Sequence, residues 1–150
     1  MRFLGDIEAR TDAKGRVFLP ATFRKELQMG GEERIILRMD VFNSCLVLYP
    51  GSVWDQQMDE MRAKLDRWDR RQQMLYRQFV CNIVTLTLDS NGRFLIPERY
   101  RKCAKISHDV HFVGMGDVIE IWDPEMLAGG MLAQDEFADE LEQQMTTNKE

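Results

Sequence analysis

Short apolar runs separated by turn-forming residues follow one another along most of this 150-residue chain, in two similar series. The first series contains residues 34–38 and 45–50, and the second contains residues 110–114 and 118–124. Each run is rich in β-branched and aromatic residues and is bounded by Gly, Asp or Pro, which is typical of strands. The pattern therefore predicts a mainly β fold with additional helices.

The two series belong to an internal repeat. Residues 12–25 read DAKGRVFLPATFRK and residues 89–102 read DSNGRFLIPERYRK, with six of fourteen positions identical and no gap. Each copy reads as strand, tight turn, strand, short helix, strand, strand. A unit of about 45 residues is too short to bury a sufficient core alone. The two copies are therefore predicted to pack on each other as one pseudo-twofold body.

Helices are predicted between the copies and after them. From residue 52 to about 80, Trp54, Met58, Met61, Leu65 and Trp68 recur at helical spacing, with Ser52 as a plausible N-cap. This stripe can pack on the core or line a subunit interface, and the sequence does not separate the two. The tail predicts two helices broken at residues 129–130 and disorder over 146–150. The predicted units are a first half-domain at 5–51, a helical connector at 52–81, a second half-domain at 82–125 and an acidic tail at 126–150.

The net charge of −5 is concentrated in the tail. Residues 1–123 hold 19 Lys and Arg against 18 Asp and Glu, whereas residues 124–150 hold one Lys against seven acids. A near-neutral body can still present a local basic face, so the total charge does not exclude a nucleic-acid partner. No apolar run is long enough for a membrane span, and Asp6 stands where a signal peptide has its apolar core. A cytoplasmic protein without a membrane partner is expected.

The sequence offers little for catalysis or metal binding. Cys45, Cys81 and Cys103 are odd in number and far apart, so they are predicted to be buried reduced thiols. His108 and His111 would point to opposite faces of a strand, which works against a shared metal. There is no Ser/His/Asp set and no Gly-rich phosphate loop. We expect no enzymatic activity, cofactor, metal or small-molecule substrate.

The most distinctive motif is a repeated turn that begins with Asp and ends with Gly-Arg. Its members are Asp12, Gly15 and Arg16 in the first copy and Asp89, Gly92 and Arg93 in the second. Aspartate can bond the backbone ahead of it, and Gly supplies the positive φ of such turns. Asp and Arg can form a local ion pair that only rigidifies the turn. Alternatively, Asp orients Arg so that its guanidinium projects toward phosphate or a guanine edge.

Other basic residues accompany the motif. Lys14 lies in the first turn, where the second copy has Asn91, and Arg24 and Arg101 lie on the short helices. Cations near a helix end also serve to compensate the helix dipole, so this evidence is weaker. The predicted DNA-binding residues are Asp12, Lys14, Gly15, Arg16, Arg24, Asp89, Gly92, Arg93 and Arg101.

Four motifs together resemble the MraZ family over most of residues 1–126: DxKGRxxxPxxFR, DxxGRxLIPxxxR, CLVLYPxxxW and VGMGDxIEIWD. The resemblance implies tandem AbrB-like half-domains that form a swapped-hairpin β-barrel, and a ring-shaped homo-oligomer. It also implies a nucleoid-associated regulator that binds short direct repeats in double-stranded promoter DNA and represses its own division and cell-wall gene cluster. The alternative keeps the fold but makes the oligomer a protein-interaction module without direct DNA readout.

Overall fold

The computed structural model, which describes residues 1–147, is an α+β protein. Its elements in chain order are β1 (Asp6–Arg10), β2 (Arg16–Phe18), α1 (Ala21–Met29), β3 (Ile35–Met39), β4 (Leu46–Pro50), α2 (Gly51–Lys64), α3 (Arg70–Cys81), β5 (Ile83–Leu86), β6 (Arg93–Leu95), α4 (Glu98–Cys103), β7 (Asp109–Gly114), β8 (Ile119–Trp122), α5 (Pro124–Gly129) and α6 (Gln134–Thr147).

The strands form two antiparallel layers that mix the two sequence copies. A six-stranded sheet has the order β1-β7-β8-β4-β3-β5, and β2 pairs with β6 in a separate two-stranded ribbon. If each strand is exchanged for its counterpart in the other copy, the same order is obtained in reverse. The topology is therefore pseudo-twofold, and the two copies share one structure by pairing strands across the repeat.

The expected closed barrel is not formed. Within residues 1–147 the edge strands β1 and β5 each hydrogen bond to one neighbouring strand, so the six-stranded sheet stays open. The reason lies in the turn after β1. The Asp12 N–H donates to the Arg16 carbonyl over 2.8 Å, but β2 then leaves β1 and pairs with β6. The ribbon therefore lies outside the sheet order.

The main core lies between the sheet and the ribbon with its following helices. Val17 and Phe94 from the ribbon, and Phe23 and Tyr100 from α1 and α4, are at most 3% exposed. Phe94 meets Phe112 of β7 edge to face, with 6.3 Å between ring centroids. Because side chains alternate along a strand, burial of Val17 and Phe94 directs their neighbours to solvent. This packing fixes which face of the ribbon is exposed.

The connector forms two helices that pack on the opposite side of the sheet. Trp54 of α2 meets Tyr49 edge to face and stacks on Phe79 of α3, each at 5.2 Å between centroids. The predicted stripe ends early: Trp54 is buried, but Trp68 is 94% exposed. The chain turns between the helices, where Asp69 caps α3 by accepting from two backbone N–H groups.

Two other sequence expectations are wrong in detail. Ser52 does not cap α2, which begins at Gly51, and its hydroxyl donates to the Glu32 carboxylate instead. The tail does form two helices, but α6 continues through Thr147, so the expected disorder is wrong at residues 146–147. Residues 148–150 lie outside the described residues. No helix in the described part of the chain is long and apolar enough to cross a membrane.

The cysteines differ from the expectation of three buried thiols. Cys45 is buried beside Trp122 and Leu127, but Cys81 and Cys103, at the ends of α3 and α4, are exposed. All three are free. A cysteine in the last turn of a helix is buried only if that turn faces the core, and these two do not.

Candidate nucleic-acid interface

The first turn is organised around one carboxylate. Asp12 Oδ1 accepts hydrogen bonds from the backbone N–H groups of Lys14 and Arg16, both at 2.9 Å. Its Oδ2 accepts from Arg16 Nε at 2.7 Å. Gly15 takes a φ of +88°, a conformation that other residues adopt only with strain. Asp12 therefore fixes both the turn and the direction of the Arg16 guanidinium.

The second turn repeats this geometry. Asp89 Oδ1 accepts from the N–H groups of Asn91 and Arg93, and Asp89 Oδ2 accepts from Arg93 Nε, all at 2.9 Å. Gly92 has a φ of +83°. The same four-residue spacing has produced the same network twice.

Both aspartates are held in their ionised form. The pKa of Asp12 is lowered to about 2, chiefly by the hydrogen bond from the Arg16 backbone N–H and also by the Arg16 side chain. The pKa of Asp89 is lowered as well, chiefly by the Arg93 backbone N–H. At neutral pH each carboxylate is thus an anion that engages Nε of its arginine. Among the described residues, the Nη groups of Arg16 and Arg93 form no hydrogen bond.

The two arginines lie on one face of the ribbon. Arg16 is opposite Leu95 and Phe18 is opposite Arg93, while the buried pair Val17 and Phe94 lies between them. The arginines are thus diagonal neighbours, roughly 7–8 Å apart at the backbone in an antiparallel pair. Between them lie Phe18 and Leu95, 54% and 48% exposed, and the Arg93 guanidinium carbon is 5.7 Å from the Phe18 ring centre. The outward face formed by Arg16, Phe18, Arg93 and Leu95 is called the ribbon face below.

Two helix arginines extend this surface by reaching the turn of the opposite copy. Arg101 of α4 lies over Gly15, where a Cβ would come within 2.6 Å of its guanidinium carbon. Its Nε donates to the Ile96 carbonyl at 3.0 Å. Arg24 of α1 lies still closer over Gly92 and donates to the Asn91 carbonyl at 3.3 Å. Glycine is therefore favoured at both positions by its φ, and a side chain there would also displace the arginine that lies over the turn.

The structure thus brings all nine sequence-predicted residues together around the ribbon. The turn residues Asp12, Lys14, Gly15, Arg16, Asp89, Gly92 and Arg93 lie at the ribbon, with Arg24 and Arg101 against the turns. Lys14 is exposed in the first turn, and the second turn has the uncharged Asn91 at the same position, so the two turns differ by one charge. Sequence reasoning missed Phe18 and Leu95. The alternation Arg-x-Phe and Arg-x-Leu after each turn was the signal that places them beside the arginines.

A second cluster lies away from this interface. Asp40, Cys45 and Glu120 have ligand atoms within 4.8 Å of one another. Local structure already uses two of them, because Asp40 Oδ2 accepts from the Phe42 and Asn43 backbone and Glu120 accepts from Trp122 Nε1 at 2.9 Å. Burial raises the pKa of the Cys45 thiol, which keeps it protonated. This cluster is accounted for by loop geometry.

Comparison with known proteins identifies the family to which these turns belong. A family model described as "MraZ protein, putative antitoxin-like" matches residues 2–78 and 79–127. This chain belongs to the MraZ family. The two matched segments together cover residues 2–127, and each contains one Asp-Gly-Arg turn. The helix α6 lies beyond the matched residues.

Several MraZ relatives align with nearly the whole chain. "Transcriptional regulator MraZ" of Phocaeicola vulgatus is 57% identical over 99% of this chain and 96% of its own length. The protein of the same name from Bacteroides thetaiotaomicron is 50% identical over 97% and 93%. The one from Flavobacterium psychrophilum is 32% identical over 82% and 78%. These relatives of the chain are thus all named as transcriptional regulators.

Proposed function

We propose that this MraZ-family chain is a DNA-binding transcriptional regulator and that the ribbon face contacts the double helix. The observation that carries the proposal is the shared placement of Arg16 and Arg93. Each arginine is held through Nε by the aspartate of its own turn, and both project from one exposed face. The names of the relatives support the regulatory role.

The geometry of the ribbon suits the major groove. The groove is about 12 Å wide and admits a two-stranded β-ribbon. The Nη groups of each arginine are available for a bidentate contact to guanine or to a phosphate. Phe18 and Leu95 lie between the arginines and fit apolar contacts with thymine methyl groups. Lys14, Arg24 and Arg101 extend the positive edge toward the sugar-phosphate backbone.

Assembly into a ring would explain how the protein binds DNA tightly and selects short direct repeats. One ribbon makes few contacts, whereas linked sites raise the apparent affinity by about 10²–10⁴. Ring subunits are related head to tail, so successive ribbons keep one orientation and match short direct repeats in DNA. We propose that such repeats lie upstream of the protein's own division and cell-wall gene cluster, which it represses as a cytoplasmic, nucleoid-associated oligomer. The strand exchange between copies supports an AbrB-like swapped-hairpin ancestry for the open sheet and ribbon.

The test removes both ribbon arginines. Arg16→Ala/Arg93→Ala is expected to weaken binding to DNA from upstream of its own gene at least tenfold, because one bidentate base contact contributes about 1–3 kcal/mol. Fluorescence anisotropy at several salt concentrations measures the effect. If the arginines bind phosphates, the slope of log K against log salt falls by roughly 0.9 for each contact, whereas base contacts leave it nearly unchanged.

The matched control is Arg2→Ala/Lys64→Ala, which removes two exposed positive charges that belong neither to the ribbon face nor to α3. This variant is expected to keep wild-type affinity within about twofold, since its charges lie outside the ribbon face. Unchanged affinity in an Arg16→Ala/Arg93→Ala protein of wild-type molar mass would refute the proposed interface.

A second candidate function is favoured by the exposed apolar pair on the ribbon. Phe18 and Leu95 also fit a protein partner, in which case the oligomer is an interaction module without direct DNA readout. The same titration separates the two functions. An interaction module binds promoter and random DNA alike and weakly at physiological salt, whereas a regulator prefers the promoter.

A further inference from the structure

The connector carries a group of arginines that the ribbon does not use. A groove between α2 and α3, called the connector groove below, is lined by Arg62, Arg67, Gln73, Tyr76, Arg77 and Val80. The Arg62 guanidinium lies 3.7 Å from the centre of the Tyr76 ring. Among the ion pairs of residues 1–147, none involves Arg62, Arg67 or Arg77. The groove is thus cationic and has no acidic partner within the described chain.

The C-terminal helix has the complementary character. Between its bounds, α6 contains five acids and no lysine or arginine. Phe137, Leu141 and Met145 recur at intervals of four and form one apolar stripe, 48%, 47% and 67% exposed. No residue of α6 is buried. Within residues 1–147, the apolar face of this helix therefore has no packing partner.

The helix α6 needs such a partner for stability, whereas α3 already packs on α2 through Phe79 and has further apolar surface to cover. An isolated helix of about 12–15 residues is marginal in water, because most helix stability in proteins comes from packing of an apolar face. The helix α3 has no buried residue, and Met74 and Leu75 on it are 53% and 55% exposed. Apolar surface of this kind, flanked by charge, is typical of a helix–helix interface.

We propose that α6 of one subunit lies in the connector groove of a second copy of the chain. The helix α3 carries three arginines and no acid, against the five acids of α6. Their lengths also match, since 12 and 14 residues correspond to about 18 and 21 Å. The inference rests on the homo-oligomer proposed above and not on DNA binding.

The topology favours a second copy over the same chain. The helix α5 packs through Leu127 and Met126 beside Val113 of β7, next to the β1 edge of the sheet. In contrast, α3 leads into β5, the opposite edge strand. Contact between one end of a subunit and the other end of its neighbour is heterologous, and such contacts close into rings when the rotation permits.

Nucleic acid is a poorer occupant of the groove. A phosphate backbone would neutralise Arg62, Arg67 and Arg77 but would leave the apolar stripe of α6 without a partner. The amphipathic α6 satisfies both requirements at once, with its apolar stripe against Tyr76 and Val80 of the groove and its flanking acids on the arginines. Binding of a helix by a complementary groove is a recurrent mode of peptide recognition.

The test is a charge swap in the full-length protein. Arg62→Glu/Arg67→Glu/Arg77→Glu reverses the groove, and Glu136→Lys/Glu140→Lys/Glu142→Lys reverses the helix. Each variant is expected to dissociate at a concentration at least tenfold above that of the wild type, as measured by sedimentation velocity. The six-substitution protein that carries both reversals is expected to regain the wild-type molar mass. Restoration of mass excludes simple misfolding as the cause of dissociation.

A crosslink identifies which chain supplies the helix. A photo-reactive phenylalanine analogue at position 137, in oligomers mixed from light and ¹⁵N-labelled protein, is expected to give light–heavy crosslinks to residues 62–80. Three results would overturn the inference: crosslinks within one chain only, wild-type mass in both reversals, or a groove reversal that weakens DNA binding without changing mass. DNA binding through Arg16 and Arg93 is measured separately, so failure here leaves the proposed function standing.

Discussion

At the residue scale, the two turn aspartates orient the arginine side chains more than they stabilise the fold. Exposed ion pairs add little to stability, and Asp12 and Arg16 are each more than a third exposed. A free arginine loses about 2 kcal/mol of side-chain entropy when a contact fixes it. Because Asp12 and Asp89 already hold the Nε atoms of Arg16 and Arg93, much of this side-chain entropy is lost when the protein folds and not when it binds a ligand. The pairs therefore prepare the ribbon face for a ligand.

The turn glycines provide a test at this scale. Gly92→Ala is expected to lower the free energy of unfolding by about 1–2 kcal/mol, because its φ of +83° is unfavourable for any side chain with a Cβ. The added Cβ also displaces Arg24, so DNA affinity should fall as well. Urea denaturation at pH 7 measures the first effect and anisotropy the second.

The matched control for this substitution is Gly129→Ala. Gly129 is the last residue of α5 and has open space where its Cβ would lie. Alanine there is expected to leave stability unchanged or raise it by up to about 1 kcal/mol. Equal effects of the two substitutions would show that the backbone conformation of the turn contributes nothing.

At the scale of elements, the sequence predicts individual helices and strands better than it predicts which strands pair. The apolar runs and the buried pair Phe23 and Leu27 of α1 follow directly from periodicity. The pairing of β2 with β6 does not, because the repeat encodes a turn that looks the same whether its strands pair with each other or with the other copy. Packing of Val17 and Phe94 into a shared core decides between them. Such long-range packing has no local sequence signal.

In the connector, too, the sequence predicts part of the structure correctly and part of it wrongly. Its spacing of three and four residues correctly places Trp54 on the apolar face, but the prediction extends the stripe to Trp68. Asp69 ends that extension by capping a new helix, and Trp68 is left exposed between the two helices. An aspartate at an N-cap was visible in the sequence, and it is a stronger signal for a helix start than apolar spacing is for continuity.

Substitution of these two tryptophans tests how the connector is anchored. Trp54→Ala is expected to lower the free energy of unfolding by about 3–5 kcal/mol, because it removes a buried ring that contacts Tyr49 and Phe79. Trp68→Ala should change it by no more than about 0.5 kcal/mol. Chemical denaturation of both variants measures the difference. A comparable loss in Trp68→Ala would place that ring in an interface between subunits.

At the scale of the whole molecule, the symmetry of the ribbon and the departures from it bear on how the proposed DNA site would be read. Because of the pseudo-twofold topology, a ribbon that is turned end for end looks nearly the same as before. Such a ribbon would bind a repeat equally well in either direction. Three differences break the equivalence: Ala13 against Ser90 and Lys14 against Asn91 in the turns, and Phe18 against Leu95 on the ribbon face. The duplicated motif made the candidate arginines predictable, and these departures would supply the polarity that the proposed direct repeats require.

Lys14→Asn tests this polarity because it makes the first turn match the second in charge. The wild-type protein is expected to bind two direct repeats roughly tenfold more tightly than a duplex with one repeat inverted, since a hydrogen bond to a charged group contributes about 1.5–3 kcal/mol. In Lys14→Asn this preference should shrink to a few-fold, because the uncharged differences between Ala13 and Ser90 and between Phe18 and Leu95 are all that distinguish the ends. Anisotropy with both duplexes at one salt concentration measures the ratio. An undiminished ratio would assign the polarity to the order of subunits in the ring, leaving the first turn as a contact without direction.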